Sequence, residues 1–168
     1  MLDVYPHPDE PNAYRLTAEV FLPRPREEVF AFFCDAFNLE EMTPSWMQFA
    51  VITPGPIDMH EGALIDYRLK LRGLPIKWRT EITCWEPPFR FTDEQLRGPY
   101  RFWQHEHMFE EVDGGCLARD QVDYAVPGGK LAGGLIHKLF VGGDVRRIFE
   151  FRERTLREKF GATAEAAA

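Results

Sequence analysis

Cysteine is scarce in this chain: Cys34, Cys84 and Cys116 are odd in number, widely spaced and without a CxxC pair. That spacing excludes a disulfide framework and a zinc knuckle. No stretch approaches the roughly 18 consecutive apolar residues of a membrane span, and the opening MLDVYPHPDEP has no apolar leader-like core. Basic charge is short as well, with 20 Lys and Arg against 27 Asp and Glu for a net charge of −7. A nucleic-acid surface needs the opposite balance. The one basic stripe, Arg146 to Lys159, is interleaved with Glu150, Glu153 and Glu158, and the pairs Glu150/Arg154 and Glu153/Arg157 stand at i,i+4. It reads as a solvated helix face. No glycine-rich phosphate loop, activated nucleophile or cofactor motif is present. The expectation is a cytoplasmic protein with no membrane span, nucleic-acid partner, cofactor or metal.

What the chain does have is apolar and aromatic bulk. Hydrophobic residues make up 45% and aromatics 14%, with fourteen Phe among 168 residues, enough for one core of ordinary size and for the walls of a pocket. The stretch RFWQHEHMFEEV, Arg101 to Val112, alternates as a strand, so Trp103, His105, His107 and Phe109 share one face. Two imidazoles between two aromatics form a semi-polar surface. It suits a half-buried hydrogen-bonded core, a ligand-lined concave wall or a His-x-His metal site with a carboxylate, and the spacing alone leaves all three open.

In chain order, residues 1–12 hold three prolines and no period and read as an N-terminal arm. Tyr14 to Leu22 alternates as a first strand. A helix opening near Pro25 carries Val29, Phe32, Phe33, Ala36 and Phe37 at helical spacing, and Asn38 to Met42 reads as a second short helix capped by Asn38. Six further strands follow: Trp46 to Ile52, Ala63 to Leu71, Ile76 to Trp85, Phe89 to Leu96, Arg101 to Val112 and Cys116 to Val126, joined by short Gly- and Pro-rich connectors. Beyond Pro127, Leu131, Leu135 and Leu139, then Val145, Ile148, Phe149, Leu156 and Phe160, mark a long covering helix, with Asp144 placed to cap its second half. Glycines at 128, 129, 133, 134, 142 and 143 predict that its first half is irregular or kinked. Residues 161–168 read as a flexible tail.

The segments LPRPREEVFAFFCDAFNLEEMTP, WEPPFRFTDEQ, GPYRFWQHEHMFEEVDGG and FEFRERTLREKFG, in this order of elements, resemble the START-like SRPBCC (polyketide cyclase/dehydrase-like) superfamily over residues 14–160. The resemblance implies a single α+β domain over residues 13–160 with a helix-grip fold: a seven-stranded antiparallel sheet wrapped around the long C-terminal helix, with two short helices between the first two strands. It also implies an enclosed apolar cavity. Carried onto this chain by strand alternation, the cavity wall comprises Tyr67 and Leu69, Trp78, Thr80 and Ile82, Phe91 and Asp93, Trp103, His105, His107 and Phe109, and Asp120, Val122 and Tyr124. Two Asp and two His on an apolar wall are most economically arranged as pairs. The implied function is binding or sequestration of a small apolar or lipid-like ligand. Two alternatives are a cyclase/dehydratase-type enzyme using one His/Asp pair as acid and base, and a co-chaperone-like interaction module.

Overall fold

The computed structural model describes residues 1–162, with residues 129–132 described by their backbone alone. In chain order the elements are β1 (Leu2–Pro6), β2 (Ala13–Leu22), α1 (Arg26–Cys34), β3 (Ala50–Val51), β4 (Leu64–Leu71), β5 (Leu74–Glu86), β6 (Arg90–Arg97), β7 (Phe102–Val112), β8 (Gly115–Ala125), α2 (Gly129–Ile136) and α3 (Gly142–Phe160). The strands form one antiparallel sheet in the order β1-β2-β8-β7-β6-β5-β4-β3. Strands β4 to β8 are the expected meander. The sheet continues when β2 pairs with β8 along its whole length, from Ala13 opposite Ala125 to Leu22 opposite Cys116.

Local chemistry explains the tight turns. Arg72 and Gly73, with φ of 51° and 82°, both enter the left-handed region that a two-residue β4–β5 hairpin requires. At the start of β8 an added Cβ on Gly115 would lie 2.3 Å from the Leu22 carbonyl oxygen, so only glycine permits this close strand approach.

The sheet has eight strands rather than seven, because the expected arm contains β1. Leu2 and Val4 alternate inward against the core around Leu16 and Val122, while Asp3 and Tyr5 point out. Five residues were too short a window for that period to stand out among the prolines. The expected strand from Trp46 to Ile52 shrinks to Ala50–Val51, preceded by a 3-10 turn at Ser45–Met47. The expected helix at Asn38 to Met42 is a 3-10 turn at Ala36–Leu39 instead, capped by Asp35, whose carboxylate accepts from the Phe37 N–H. That turn rotates Phe37 outward to 40% exposure, and Phe30 takes the inward place in α1 beside Val29 and Phe33.

The C-terminal cover is interrupted where the glycines predicted it. His137–Val141 forms a π-helical turn between α2 and α3, the wider winding that relaxes a helix without ending it. Leu135 and Leu139 lie on the outer side and are exposed, contrary to their expected place on the buried stripe, because the π-turn shifts the helical phase. The side chain of Leu131, also assigned to that stripe, lies outside the described residues. Asp144 caps nothing; its carboxylate accepts from Arg72 at 2.8 Å and ties α3 to the β4–β5 hairpin. Val145, Phe149, Arg152, Leu156 and Phe160 form the buried stripe of α3. The residues from 163 on, most of the expected tail, lie outside the described residues. Among the described residues, no helix is long and apolar enough to cross a membrane.

Candidate functional site

Between the concave face of the sheet and α3 lies a cavity of about 140 Å³. Its sheet wall is built by alternation: Ile65, Tyr67 and Leu69 from β4, Trp78, Thr80 and Ile82 from β5, Phe91 and Asp93 from β6, and Trp103, His105 and His107 from β7. The side facing the sheet comes from Val145, Ile148, Phe149 and Arg152 of α3. Phe33, Met42, Met47, Phe49 and Met59 close one end, and Tyr100 joins Trp78 and Trp103 at the other. Those last three rings pack tilted or edge to face, with centroids 4.8 to 5.7 Å apart, a favourable aromatic geometry.

Of the predicted site residues, Tyr67, Trp78, Phe91, Asp93, Trp103, His105 and His107 line this cavity, as do Leu69, Thr80 and Ile82. Phe109, Asp120, Val122 and Tyr124 share the inward phase but do not reach it. Phe109 is covered by α1, with Phe30 at 5.4 Å and Phe33 at 5.0 Å between centroids. Val122 and Tyr124 belong to a second core with Leu16 and Val145, and the Tyr124 hydroxyl is 2.8 Å from His137 Nε2. Asp120 stands behind the wall, beside Phe149 and Arg152. Correct alternation placed these residues on the right face; it carried no information on which length of the strand α1 and α3 seal off. A bulge between Ile82 and Cys84 then turns Trp85 inward against Phe30 and Phe91, beyond the point where the simple alternation holds.

Four of the inward polar side chains form a ring of contacts. His105 Nε2 is 2.8 Å from Asp120 Oδ1, and because an ionised carboxylate only accepts, the imidazole donates. His107 Nε2 is 3.2 Å from Asp93 Oδ2. On their other sides His107 Nδ1 lies 2.9 Å from Asp120 Oδ1 and His105 Nδ1 lies 3.7 Å from Asp93 Oδ2. Despite its length the first of these is not a hydrogen bond, and His107 Nδ1 has no hydrogen-bond partner among the described residues. Asp93 is also 3.4 Å from the Thr80 hydroxyl, which in turn accepts from the Trp78 indole at 3.3 Å. The two imidazoles are tilted against each other, 3.7 Å between centroids.

Burial alone would raise both carboxyls, but hydrogen bonds and positive charge from the two imidazoles outweigh it and hold Asp93 and Asp120 well below the usual carboxylate range. Burial lowers His105 to about 4, helped by the neighbouring His107 and opposed by Asp120. For His107 the loss of solvent also acts downward, but the two carboxylates on either side overcome it and raise its pKa. The ring therefore separates two identical residue types: His105 is kept neutral and His107 is kept ready to carry a proton. Such separation is a recurrent feature of functional sites and also of buried networks. Asp93, His105 and His107 bring one donor atom each within 4.8 Å of the others, the set a divalent ion would use; the carboxylate–imidazole contacts account for the same side chains by direct pairing.

Sequence reasoning missed Arg152, assigned to a solvated face. It is 8% exposed and lines the cavity from α3. A signal existed: Val145, Phe149 and Leu156 recur at helical spacing, and residue 152 falls on the same stripe. Tyr100 lies in a connector and had no period to reveal it. Burial pushes the Cys34 thiol up to about 12 and Cys116 to about 11 and raises Cys84 as well, so the environment of all three works against the thiolate.

The family model described as "Polyketide cyclase / dehydrase and lipid transport" matches residues 22–151. Among solved structures, protein Ms6760 from Mycobacterium smegmatis is 18% identical with a TM-score of 0.65, covering 96% of this chain and 99% of that one. TTHA0849 from Thermus thermophilus is 21% identical with a TM-score of 0.64, covering 90% and 99%. Ginseng major latex-like protein 151 from Panax ginseng, at 10% identity and a TM-score of 0.62, covers 89% and 98%. At these identities the likeness is one of fold. No curated protein matches the sequence.

Proposed function

Because the chain belongs to the polyketide cyclase / dehydrase and lipid transport family, we propose that it binds and sequesters a small apolar ligand in the cavity between the sheet and α3, with no cofactor. The observation that carries this reading is the group of Asp93, His105 and His107, backed by Asp120, on a wall otherwise made mostly of aliphatic, Met and aromatic side chains. A few convergent polar groups in an apolar pocket orient a ligand whose body is held by burial. The volume of about 140 Å³ supports a compact ligand of one or two rings over a long acyl chain, since engineered apolar cavities of ~150 Å³ take up benzene.

A second reading, acid–base catalysis of the cyclase/dehydratase kind, is favoured by one feature. Asp120 stands behind the wall and holds His105 through Nε2, while His107, which lines the cavity, sits between two carboxylates. An imidazole oriented by a carboxylate is the arrangement a general acid or base needs. The interaction-module reading makes no use of an apolar cavity with polar groups on its wall.

Native mass spectrometry of the protein purified from its own host tests the binding reading. A co-purifying organic mass at one per chain supports it, and its conversion on incubation supports catalysis. A ligand-free mass together with no uptake of a fluorescent apolar probe speaks against both.

A further inference from the structure

Arg152 occupies the α3 position where the buried stripe calls for an apolar side chain, one turn from Phe149 and one turn from Leu156. It is more than nine-tenths buried, and its Nε and Nη1 atoms have no hydrogen-bond partner among the described residues. A guanidinium cannot shed its charge to escape burial, as a lysine or histidine can. Its Cζ lies 4.7 Å from the centre of the Phe149 ring, a cation–π contact that uses none of its N–H donors as hydrogen bonds to an acceptor.

The carboxylates nearest to it make no direct bond with it, although its charge is among those that hold Asp93 low. Asp93 faces it from the opposite wall of the cavity and Asp120 shares the small hollow behind Phe149, yet both are engaged by His105 and His107, and neither forms an ion pair with Arg152 among the described residues. Tyr67 adds a second donor on the same cavity. The residue is 8% exposed, and its hydroxyl makes no hydrogen bond among the described residues. The carboxylate on this wall, Asp93, is already engaged by His107 and Thr80, so the Arg152 and Tyr67 donors have no acceptor in hydrogen-bond contact among the described residues.

We infer that the ligand carries a carboxylate, held by the Arg152 guanidinium through paired N–H···O bonds and assisted by the Tyr67 hydroxyl, with its apolar body among Ile82, Phe91 and Trp103. Arg is the side chain suited to this, because its planar donors match the two carboxylate oxygens. The inference rests on the binding reading above and narrows it to small, ring-sized organic acids.

The test compares 1-naphthoate with its neutral isostere 1-naphthamide by calorimetric titration at pH 7.5, on the wild type and on Arg152→Met and Arg152→Lys. The wild type should prefer the acid by roughly tenfold or more, the range of a charge-assisted hydrogen bond over a neutral one. Arg152→Met should lose that preference, the acid falling to the affinity of the amide or below it, and its ligand-free Tm should rise, since an unpaired buried cation has been removed. Arg152→Lys should retain part of the preference. Equal wild-type affinity for acid and amide overturns the carboxylate inference and leaves the apolar-cavity reading standing. Binding of neither probe overturns both. If Arg152→Met does not fold, the wild-type comparison and Arg152→Lys still decide.

Discussion

His105 and Asp120 are not register partners on the sheet: His105 stands opposite Val122 and Asp120 opposite His107, yet Nε2 of His105 reaches Oδ1 of Asp120 at 2.8 Å on the diagonal. A diagonal contact of this kind holds each imidazole away from its own strand axis and toward its neighbour, which is how two histidines two residues apart come to share two carboxylates. Replacing Asp120 with Asn should therefore lower stability by roughly 3 kcal/mol in the absence of any ligand, the magnitude for removing one partner of a buried charged pair. Urea denaturation reads this directly. An unchanged midpoint would mean that the carboxylate does not support the fold.

The same ring sets a pH dependence. His105 is neutral in the folded state down to about pH 4 but takes a proton near 6.5 when unfolded. The unfolded chain thus binds the extra proton in that window, and stability must fall as the pH is lowered through it. At about 1.4 kcal/mol per pH unit, the loss is on the order of 3 kcal/mol. His107 acts in the opposite sense, since its raised pKa gives stability that is present on the acid side and lost as the pH rises through its folded value. Asp93 and Asp120, both lowered, withdraw their contribution only below the ordinary carboxylate range. Denaturation midpoints against pH should show the acid-side loss in the wild type and a flatter profile in His105→Gln. Parallel profiles would contradict the assignment.

Trp103 and Phe109 share one face of β7 but have different neighbours, so their replacement should separate binding from folding. Trp103 lines the cavity; Trp103→Ala should weaken a fluorescent apolar probe by about tenfold, in line with the loss of an aromatic anchor. Phe109 is packed under α1, and Phe109→Ala should cost about 3 to 5 kcal/mol of stability. Glu106, on the outer face and paired with Arg90, should leave probe affinity within about twofold when changed to Ala, as rim and surface positions do. Equal effects of Trp103→Ala and Glu106→Ala would overturn the inward phase of β7.

Neighbouring glycines in the cover should respond in opposite directions. An added Cβ at Gly143 meets nothing within 4 Å, and Gly143→Ala should stabilise α3 by about 1 kcal/mol. At Gly142 the added atom would lie 2.9 Å from His137 Cε1. Gly142→Ala should displace that ring and its contact with Tyr124, lowering the Tm. Thermal melts of the two single variants check the contrast.

The strand face, the meander and the covering helix were legible in the sequence because period-2 and period-3.6 burial leave marks that need no knowledge of the partner. Alternation gives Tyr67, Trp78, Asp93 and His107 their inward phase, and the family resemblance supplies the cavity that this face lines. Phe109 and Tyr124 were misplaced for the same reason that they were found, since alternation identifies a face and not which part of it a helix covers. Asp120 was grouped correctly with the histidines but lies behind the cavity wall, a depth that no one-dimensional pattern encodes. Arg152 escaped because charge was read as exposure, although its place in the stripe of Val145, Phe149 and Leu156 argued otherwise. The short strand at Leu2–Pro6 was hidden by its length and its prolines.

The most direct test of the central claim, that an apolar ligand occupies the space between sheet and α3, is a methyl-resolved NMR titration of the full chain with a naphthalene-based probe. Saturable shifts are expected at Ile65, Leu69, Ile82 and Ile148, which line the cavity, and none at Leu16 or Val122 in the second core. Shifts confined to the exposed Leu74, Leu135 and Leu139, with the cavity methyls unmoved, would contradict it.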